Sequence, residues 1–553
     1  MKKIKEVLKK AGVKKDFLDL IEIPKNNEMG DYAFPCFSMS KEMKKNPVEI
    51  AKEIYSKIDK KGFERVELKG AYINFFIDKN KIAVSLIDEI LKERENYGKG
   101  KKGKKKVMIE FSQANTHKAF HIGHVKGTSL GESLARIIEF KGDKVIRANY
   151  QGDTGMHVAK WLWCYMKYHG KHELVEDEEW IAKIYVEAVE RLKEGDFEEE
   201  VREINRKLEE GKDKELVSLW KRTRKLSLNS FEKIYKEMNT KFDEYFFESD
   251  VEKRAKEISK ELVKKKIAEV SEGAVIIDLK KYNLGVWVLL RSDGSVLYSA
   301  KDVALAERKF NEFKIDESIY VVGNEQRLHI QQLFKTLELM KFKNADKCKY
   351  VPIYEVRFPW GKMSSRTGDN VLYSNFKKEL VEYAIKELEK RYKLENSELY
   401  DRALAIAISS LKYSMLKQDV NKNIIFDKKE AMRFEGDTGP YLLYSYARAM
   451  NILEKADYKS KKIQINELED SEKKLVMELN NFKAAVDKSY SNLDPSSIAN
   501  YAYNLAKAFN EFYHSCPVIG SENENFRLKL VDAYSQLLKN SLYLLGIRAI
   551  PKM

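Results

Sequence analysis

The chain has 553 residues, 102 Lys and Arg against 87 Asp and Glu for a net charge of +15, and a hydrophobic content of 43%. That length exceeds what one hydrophobic core organises, so about three or four domains are expected, and the apolar content excludes a disordered chain. No stretch approaches the roughly 18 apolar residues of a membrane span, the charged start MKKIKEVLKKAG lacks the run of a secretory signal, and four dispersed cysteines with no CxxC pair exclude a disulfide scaffold.

The same cysteine usage argues against a structural zinc and for a reducing, cytoplasmic compartment. Positive charge points to a polyanionic partner, although a Lys-rich solvated surface has the same composition, and abundant Lys and Glu also suit a heat-adapted organism.

Asn46-Pro47 caps and opens a helix whose apolar residues Val48, Ile50, Ala51, Ile54 and Ile58 fall at helical spacing. Two short strands follow, Val66–Leu68 and Tyr72–Phe76, then a helix over Lys81–Arg94. Asn96–Lys106 is almost wholly Gly and Lys, which reads as a solvated linker or a phosphate-contacting arm, and in either case as a boundary. Beyond it, a strand at Val107–Phe111, a helix at Val125–Phe140 and a strand at Lys144–Tyr150 make a β-loop-α-β unit, the start of a parallel sheet. From about Leu174 to Lys241 the chain is charged and helical, as an insertion would be. Strand-like runs return at Ala274–Leu279, Trp287–Arg291, Val296–Tyr298, Ser318–Val322 and Tyr350–Val356, and after about Asn375 only amphipathic helices remain.

Two segments carry chemistry. His121-Ile122-Gly123-His124 stands between a strand end and a helix start, where imidazoles donate to phosphate oxygens and the helix dipole favours anions. Gly123 lets an adenine lie against the backbone. The plainer reading is a pair of helix-capping histidines. Lys362-Met363-Ser364-Ser365-Arg366, flanked by Gly361 and Gly368, supplies cations and hydroxyls suited to closing over a triphosphate and neutralising a leaving pyrophosphate. HxGH after the first strand and a KMSxx loop after the last form the paired signature of class I aminoacyl-tRNA synthetases.

Within that class the chain resembles the archaeal-like arginyl-tRNA synthetases. Glu110 to His124 carries that family's E-x-S-x-x-N-x-x-K-x-x-H-x-G-H spacing, and Asn149 to Gly155 is similar to its N-x-x-G-D-x-G segment, although Thr154 stands where a Trp is frequent. Tyr298 to Asp302 is similar to its Y-x-x-[KR]-D block, Gly323 to His329 to G-x-x-Q-x-x-H, and Thr438 to Arg448 to TGPYxxYxxAR. Gly30-Asp31-Tyr32 and Gly70 to Phe75 resemble its extra N-terminal domain. The resemblance implies a multidomain α/β fold. An α+β N-terminal tRNA-binding domain over 1–105 reaches the D-loop corner, a Rossmann-like parallel-sheet catalytic domain spans 106–375 with a mainly helical insertion at about 172–270, and an all-α anticodon-binding domain covers 376–553.

It also implies the reaction: arginine and ATP give arginyl-adenylate, and the arginyl group passes to the terminal adenosine of tRNA(Arg), with activation awaiting bound tRNA. His121, Gly123, His124, Lys362, Met363, Ser364, Ser365, Arg366, Gly323 and His329 fall on nucleotide-binding positions. Ser365 replaces the loop's usual second lysine, and Lys118 compensates; without the motif it would read as a surface lysine. Glu110, Asn115, His124, Tyr298, Asp302 and Gln326 fall on arginine-binding positions, since a guanidinium is best held by bidentate bonds to a fixed anion. Asp302 otherwise reads as an acid at a helix start and Tyr298 as strand packing. Asn74, Tyr441, Tyr444 and Arg448 are the tRNA candidates; the tyrosines there, Tyr446 included, otherwise pack between helices. ATP is expected as substrate with Mg2+ on the nucleotide, with no metal ligand of the protein's own and no membrane partner, in a monomer. A small-molecule nucleotidyltransferase would be more compact, an RNA-binding paralogue without activity would be expected to have lost some of His121, His124, Lys362 or Asp302, and the carboxylates Glu110 and Asp302 suit a glutamate or glutamine enzyme less well.

Overall fold

The computed structural model describes residues 2–24, 26–103, 105–359, 361–362, 372–458 and 467–553. The chain begins with α1 (Lys2–Lys10), β1 (Tyr32–Pro35), the short α2 (Ser40–Met43), α3 (Pro47–Lys57), β2 (Arg65–Lys69), β3 (Tyr72–Phe76) and α4 (Lys79–Glu93). Asn46 caps α3 through its side chain, which accepts from Val48 N at 2.9 Å, with Pro47 in the first turn. The three strands pair antiparallel in the order β1-β3-β2 over a core of Ile4, Leu8, Phe34, Ile50, Ile73 and Phe75.

The Gly/Lys segment that follows is not a free tether. Gly100 N donates to Phe140 O at 2.9 Å and Gly103 N to Gly142 O at 2.7 Å. A Cβ on Gly100 would fall 2.1 Å from Lys141 O, so this close backbone approach requires glycine.

The central sheet contains β4 (Lys106–Glu110), β5 (Lys144–Gln151), β6 (Glu244–Phe247), β10 (Glu317–Gly323) and β11 (Cys348–Ile353), all parallel in the order β11-β10-β4-β5-β6. This is the doubly wound arrangement whose switch point lies between β10 and β4. Helix α5 (Ile122–Phe140) links β4 to β5. The insertion α6 (Met156–Cys164), α7 (Glu178–Glu194), α8 (Glu198–Glu210) and α9 (Lys214–Glu237) separates β5 from β6 and buries its own cluster around Trp161, Trp163 and Ile184.

After α10 (Glu248–Lys264) comes a second sheet, antiparallel, of β7 (Glu269–Ser271), β8 (Ala274–Asp278) and β9 (Val286–Leu290). The expected strands at 274–279 and 287–291 therefore exist but stand outside the parallel sheet, and the expected strand at 296–298 instead ends in α11 (Tyr298–Phe313). Meanwhile β6, inside the expected insertion, is a strand of the main sheet. Helix α12 (Arg327–Leu339) lies between β10 and β11. The expected strand 350–356 divides into β11 and β12 (Val356–Phe358), which belong to different sheets; β12 pairs with β13 (Gly361–Lys362) and β14 (Ile424–Ile425).

Among the described residues the remainder is helical apart from β14: α13 (Tyr373–Glu389), α14 (Asn396–Leu416), α15 (Lys428–Ala431), α16 (Gly439–Lys455), α17 (Asp470–Asn492), α18 (Ser496–Ser515) and α19 (Glu524–Leu544). One continuous core joins α5 and one face of the main sheet to these helices and to α4. Ser133 Oγ on α5 donates to Leu544 O at 2.8 Å, and Arg136 Nη1 to Tyr543 O at 3.1 Å. The opposite face of the sheet is covered by α10, α11 and α12. No described helix is long and apolar enough to cross a membrane.

Candidate active site

A cavity of about 780 Å³ opens at the C-terminal ends of β4, β5 and β10, at the switch point. At one end is the start of α5. His121 Nδ1 accepts from Gly123 N at 3.1 Å, and His124 Nδ1 accepts from His121 N at 3.2 Å, a reciprocal cap in which the two rings stack at 3.8 Å. Capping and ligand-binding readings therefore coincide: with both Nδ1 atoms accepting, each neutral ring keeps its proton on Nε2 as a donor. Burial, reinforced by the nearby Lys118 ammonium, lowers His121 to about 4; burial, His121 and Lys118 lower His124 well below its ordinary value. These are neutral donors at a helix N-terminus.

The loop that delivers them is strained. Ser112, Gln113 and His117 all have positive φ (77°, 47° and 62°). Insertion helix α9 holds it: Ser112 Oγ is 3.0 Å from Tyr235 Oη, His117 N donates to Ser227 Oγ at 3.0 Å, and His117 Nε2 is 2.8 Å from Thr223 Oγ1.

The other end carries carboxylates. Glu110, at the end of β4, is buried and paired with Lys309, whose ammonium lies over the Tyr320 ring at 4.1 Å. Glu248, at the start of α10, bonds Lys301 Nζ at 2.8 Å. Burial pushes the Glu248 carboxyl up, Lys301 pulls it down, and Asp302 and Asp153 push it up again. Asp302 Oδ2 lies 2.6 Å from His329 Nε2. Tyr298, at the mouth, is 59% exposed with its ring 4.7 Å from His329, so it is not packed in a strand. Asn115 Oδ1 accepts from Gly152 N at 3.2 Å, which leaves its NH2 group as a donor. The hydroxyl of Tyr150 is buried without a partner among the described residues, and burial raises it well above its ordinary value, so it remains a donor.

Of the expected residues, Glu110, Asn115, His121, Gly123, His124, Tyr298, Asp302, Gly323, Gln326 and His329 all line this one cavity. His329, expected on the nucleotide, is bonded to a carboxylate at the opposite end. Lys118 does not line the cavity; its ammonium sits 5.3 Å over Tyr185 of α7, and burial, with Lys160, lowers it. Met363, Ser364, Ser365, Arg366 and the Lys362 side chain lie outside the described residues; the backbone of Lys362 pairs with Arg357.

Asn74 corrects an expectation. It occupies the middle strand of the N-terminal sheet at 0% exposure, with both amide atoms buried, and does not face a nucleic acid. Tyr446 packs in the core, whereas Tyr441, Tyr444 and Arg448 form a half-buried group. Asn510 Nδ2 donates to the Tyr441 hydroxyl at 2.7 Å, Arg448 Nη2 to that of Tyr444 at 2.9 Å, and the Arg448 guanidinium lies 4.8 Å over Tyr513.

Glu248, Tyr150 and Lys309 were not singled out from sequence, and Lys301 entered only as the basic position of the Y-x-x-[KR]-D block. Lys309 had a signal: it follows Tyr298, Asp302 and Leu305 at helical spacing, on the face of α11 that lines the cavity. At the insertion, Cys164, His169 and Glu187 approach within 4.8 Å, but Glu187 is already shared by His169 and Arg191.

Residues 86–428 match the family described as tRNA synthetases class I (R), catalytic domain, residues 442–553 the DALR anticodon binding domain, and residues 1–77 the arginyl tRNA synthetase N terminal domain. The chain is 39% identical over 542 residues to an arginine–tRNA ligase of Clostridium acetobutylicum, covering 97% of this chain and 96% of that one. It is 38% identical over 545 residues to that of Clostridium perfringens, with the same coverage. In fold it is similar to the arginyl-tRNA synthetase structures of Thermus thermophilus (TM-score 0.85) and Plasmodium falciparum (0.82), each 24% identical over 100% of this chain and 99% of the other.

Proposed function

The chain belongs to the arginyl-tRNA synthetase family, and from that premise we propose how its residues divide the work. It is an arginine–tRNA ligase of class I: it activates arginine with ATP and transfers it to tRNA. The observation that carries the site reading is the single cavity with neutral imidazole donors at one end and carboxylates at the other. Such a cavity accommodates a triphosphate and a guanidinium with the reacting atoms between them.

The arginine carboxylate attacks the α-phosphorus in line, forming the mixed anhydride as pyrophosphate leaves, so catalysis is mostly positioning and charge stabilisation. His121 and His124 donate Nε2–H to phosphate oxygens, and Gly123 admits the adenine. Lys362 and the hydroxyls of Ser364 and Ser365, with Met363 and Arg366, close on the departing pyrophosphate. Lys118 adds a cation from the opposite side. No described carboxylate is its partner, and its positive charge already bears on both imidazoles.

Asp302 and Tyr298 take the guanidinium, Asn115 and Gln326 the α-amino end, and Glu110 and Glu248 complete the anionic wall. Mg2+ is expected to arrive on the nucleotide. The tRNA is met by the outer domains, Tyr441, Tyr444 and Arg448 serving on the helical one. We place the enzyme in the cytoplasm, as a monomer.

Pyrophosphate exchange with each of the twenty amino acids, with and without tRNA, tests this. Exchange with arginine alone, and only when tRNA is present, is expected. Exchange without tRNA removes the coupling, and no exchange with arginine overturns the reading of the site.

A further inference from the structure

Trp287, the second residue of β9, is not part of the cavity wall and has no place in the division of labour above. It is buried, and its indole Nε1 donates to His329 Nδ1 at 3.2 Å. An indole N–H donates and cannot accept, so the lone pair of His329 must lie on Nδ1. The proton of the neutral ring is then on Nε2, from which it is donated to Asp302 Oδ2 at 2.6 Å. A second proton on Nδ1 would set two N–H groups against each other in a buried place.

The consequence is a matter of charge. Glu110 is answered by the ammonium of Lys309 and Glu248 by that of Lys301, whereas Asp302 is met by a neutral ring. Asp302 makes no other hydrogen bond among the described residues, and its side chain is 19% exposed. Of these three carboxylates it is thus the one whose negative charge no described protein cation cancels.

We infer that Trp287 is a specificity-determining positioning residue: by fixing the Nε2–H tautomer of His329 it keeps Asp302 an uncompensated anion, so that the cavity demands a cationic side chain. This rests on the reading in which Asp302 receives the guanidinium. With Nδ1 free to take a proton, an imidazolium would serve Asp302 as an internal cation. Arginine would then compete with it, and an uncharged isostere such as citrulline would be penalised less.

The test is a double-mutant cycle read by pyrophosphate exchange in the presence of tRNA. Trp287→Phe keeps a ring and removes the N–H, and His329→Gln keeps a donor for Asp302 but cannot be protonated. With His329 present, Trp287→Phe is expected to raise KM for arginine about tenfold, leave kcat within about twofold, and narrow the preference for arginine over citrulline about tenfold. In the His329→Gln background the same change should move KM by less than about twofold, because the group it acts through is gone. Equal effects in both backgrounds, or an unchanged arginine-to-citrulline ratio, would mean that Trp287 only packs, and the inference falls. If Trp287→Phe does not fold, site-specific replacement by benzothienylalanine, which has sulfur in place of the N–H, is measured in the same cycle with the same criteria. Asp302→Asn keeps the two failures apart: an unchanged arginine KM there removes Asp302 as guanidinium anchor, whatever the cycle gives.

Discussion

A buried charge survives only beside its partner, and the ion pair of Glu110 with Lys309 is the plainest case: their side chains are 5% and 0% exposed. Lys309→Met leaves a lone carboxylate in the wall and should cost about 3–5 kcal/mol of stability, seen as a lowered Tm. Adding Glu110→Gln removes the second charge, so the double variant should recover most of that Tm. Its arginine KM should nevertheless exceed that of the unchanged protein, because the Glu110 carboxylate that lines the cavity is gone. A double variant that melts no higher than Lys309→Met would show that the cost lies in lost packing over Tyr320 and not in the unpaired charge. Such pairs are hard to read from sequence because each partner is one charge among many, and only the fold brings residue 309 to residue 110. The motif residues are the opposite case: the resemblance to a known family pointed to Glu110, Asn115, His121, His124, Tyr298, Asp302 and Gln326 in advance, and all of them line one cavity.

Among the elements, α5 sets the position of the imidazoles, and its distance from β4 is fixed by a missing side chain. A Cβ on Gly131 would fall 2.1 Å from Phe111 Cγ and 2.4 Å from Phe111 Cβ. Gly131→Ala should therefore cost about 1–3 kcal/mol through overpacking, and by moving the helix off the strand it should raise KM for ATP more than KM for arginine. Thermal melts and exchange kinetics at varied ATP and arginine check both parts; an equal rise in the two KM values would place the damage elsewhere. Helix α5 was legible because its apolar face repeats at helical spacing, as were β4, β5 and β10 from their short buried runs. Strand β6 was not: four residues, Glu244 to Phe247, carry too little pattern, and it is pairing with β5 that makes them a strand. Tyr350–Val356 read as one strand because nothing local marks its division between two sheets. Tyr298 likewise continued an apolar run that the backbone instead turns into a helix.

At the scale of the whole molecule, four histidines near the cavity are held neutral. Burial, with weaker pushes from neighbouring cations and rings, lowers His117 and His157 to about 3 and His121 to about 4, and places His124 well below its ordinary value. Between pH 6.5 and 4 the unfolded chain binds protons at these positions that the native chain refuses, so stability is full above about 6.5 and falls on acidification. The slope is about 1.4 kcal/mol per pH unit for each imidazole, and His117→Gln should remove one such share. Urea denaturation at pH 6.5, 5.5 and 4.5 measures it; an unchanged slope in the variant would show that His117 does not contribute. Domain order was legible from the sequence, but the single core joining α5 to the C-terminal helices was not, because it is written in contacts between distant residues. That core has a consequence for synthesis. The bond from Ser133 to Leu544 spans 411 positions, so the helix that presents His121 and His124 cannot complete its packing while the ribosome still holds the last helix. A nascent chain released before that point carries every nucleotide-binding residue without the packing that α19 supplies to α5, so a truncation ahead of α19 is expected to leave the site unfinished.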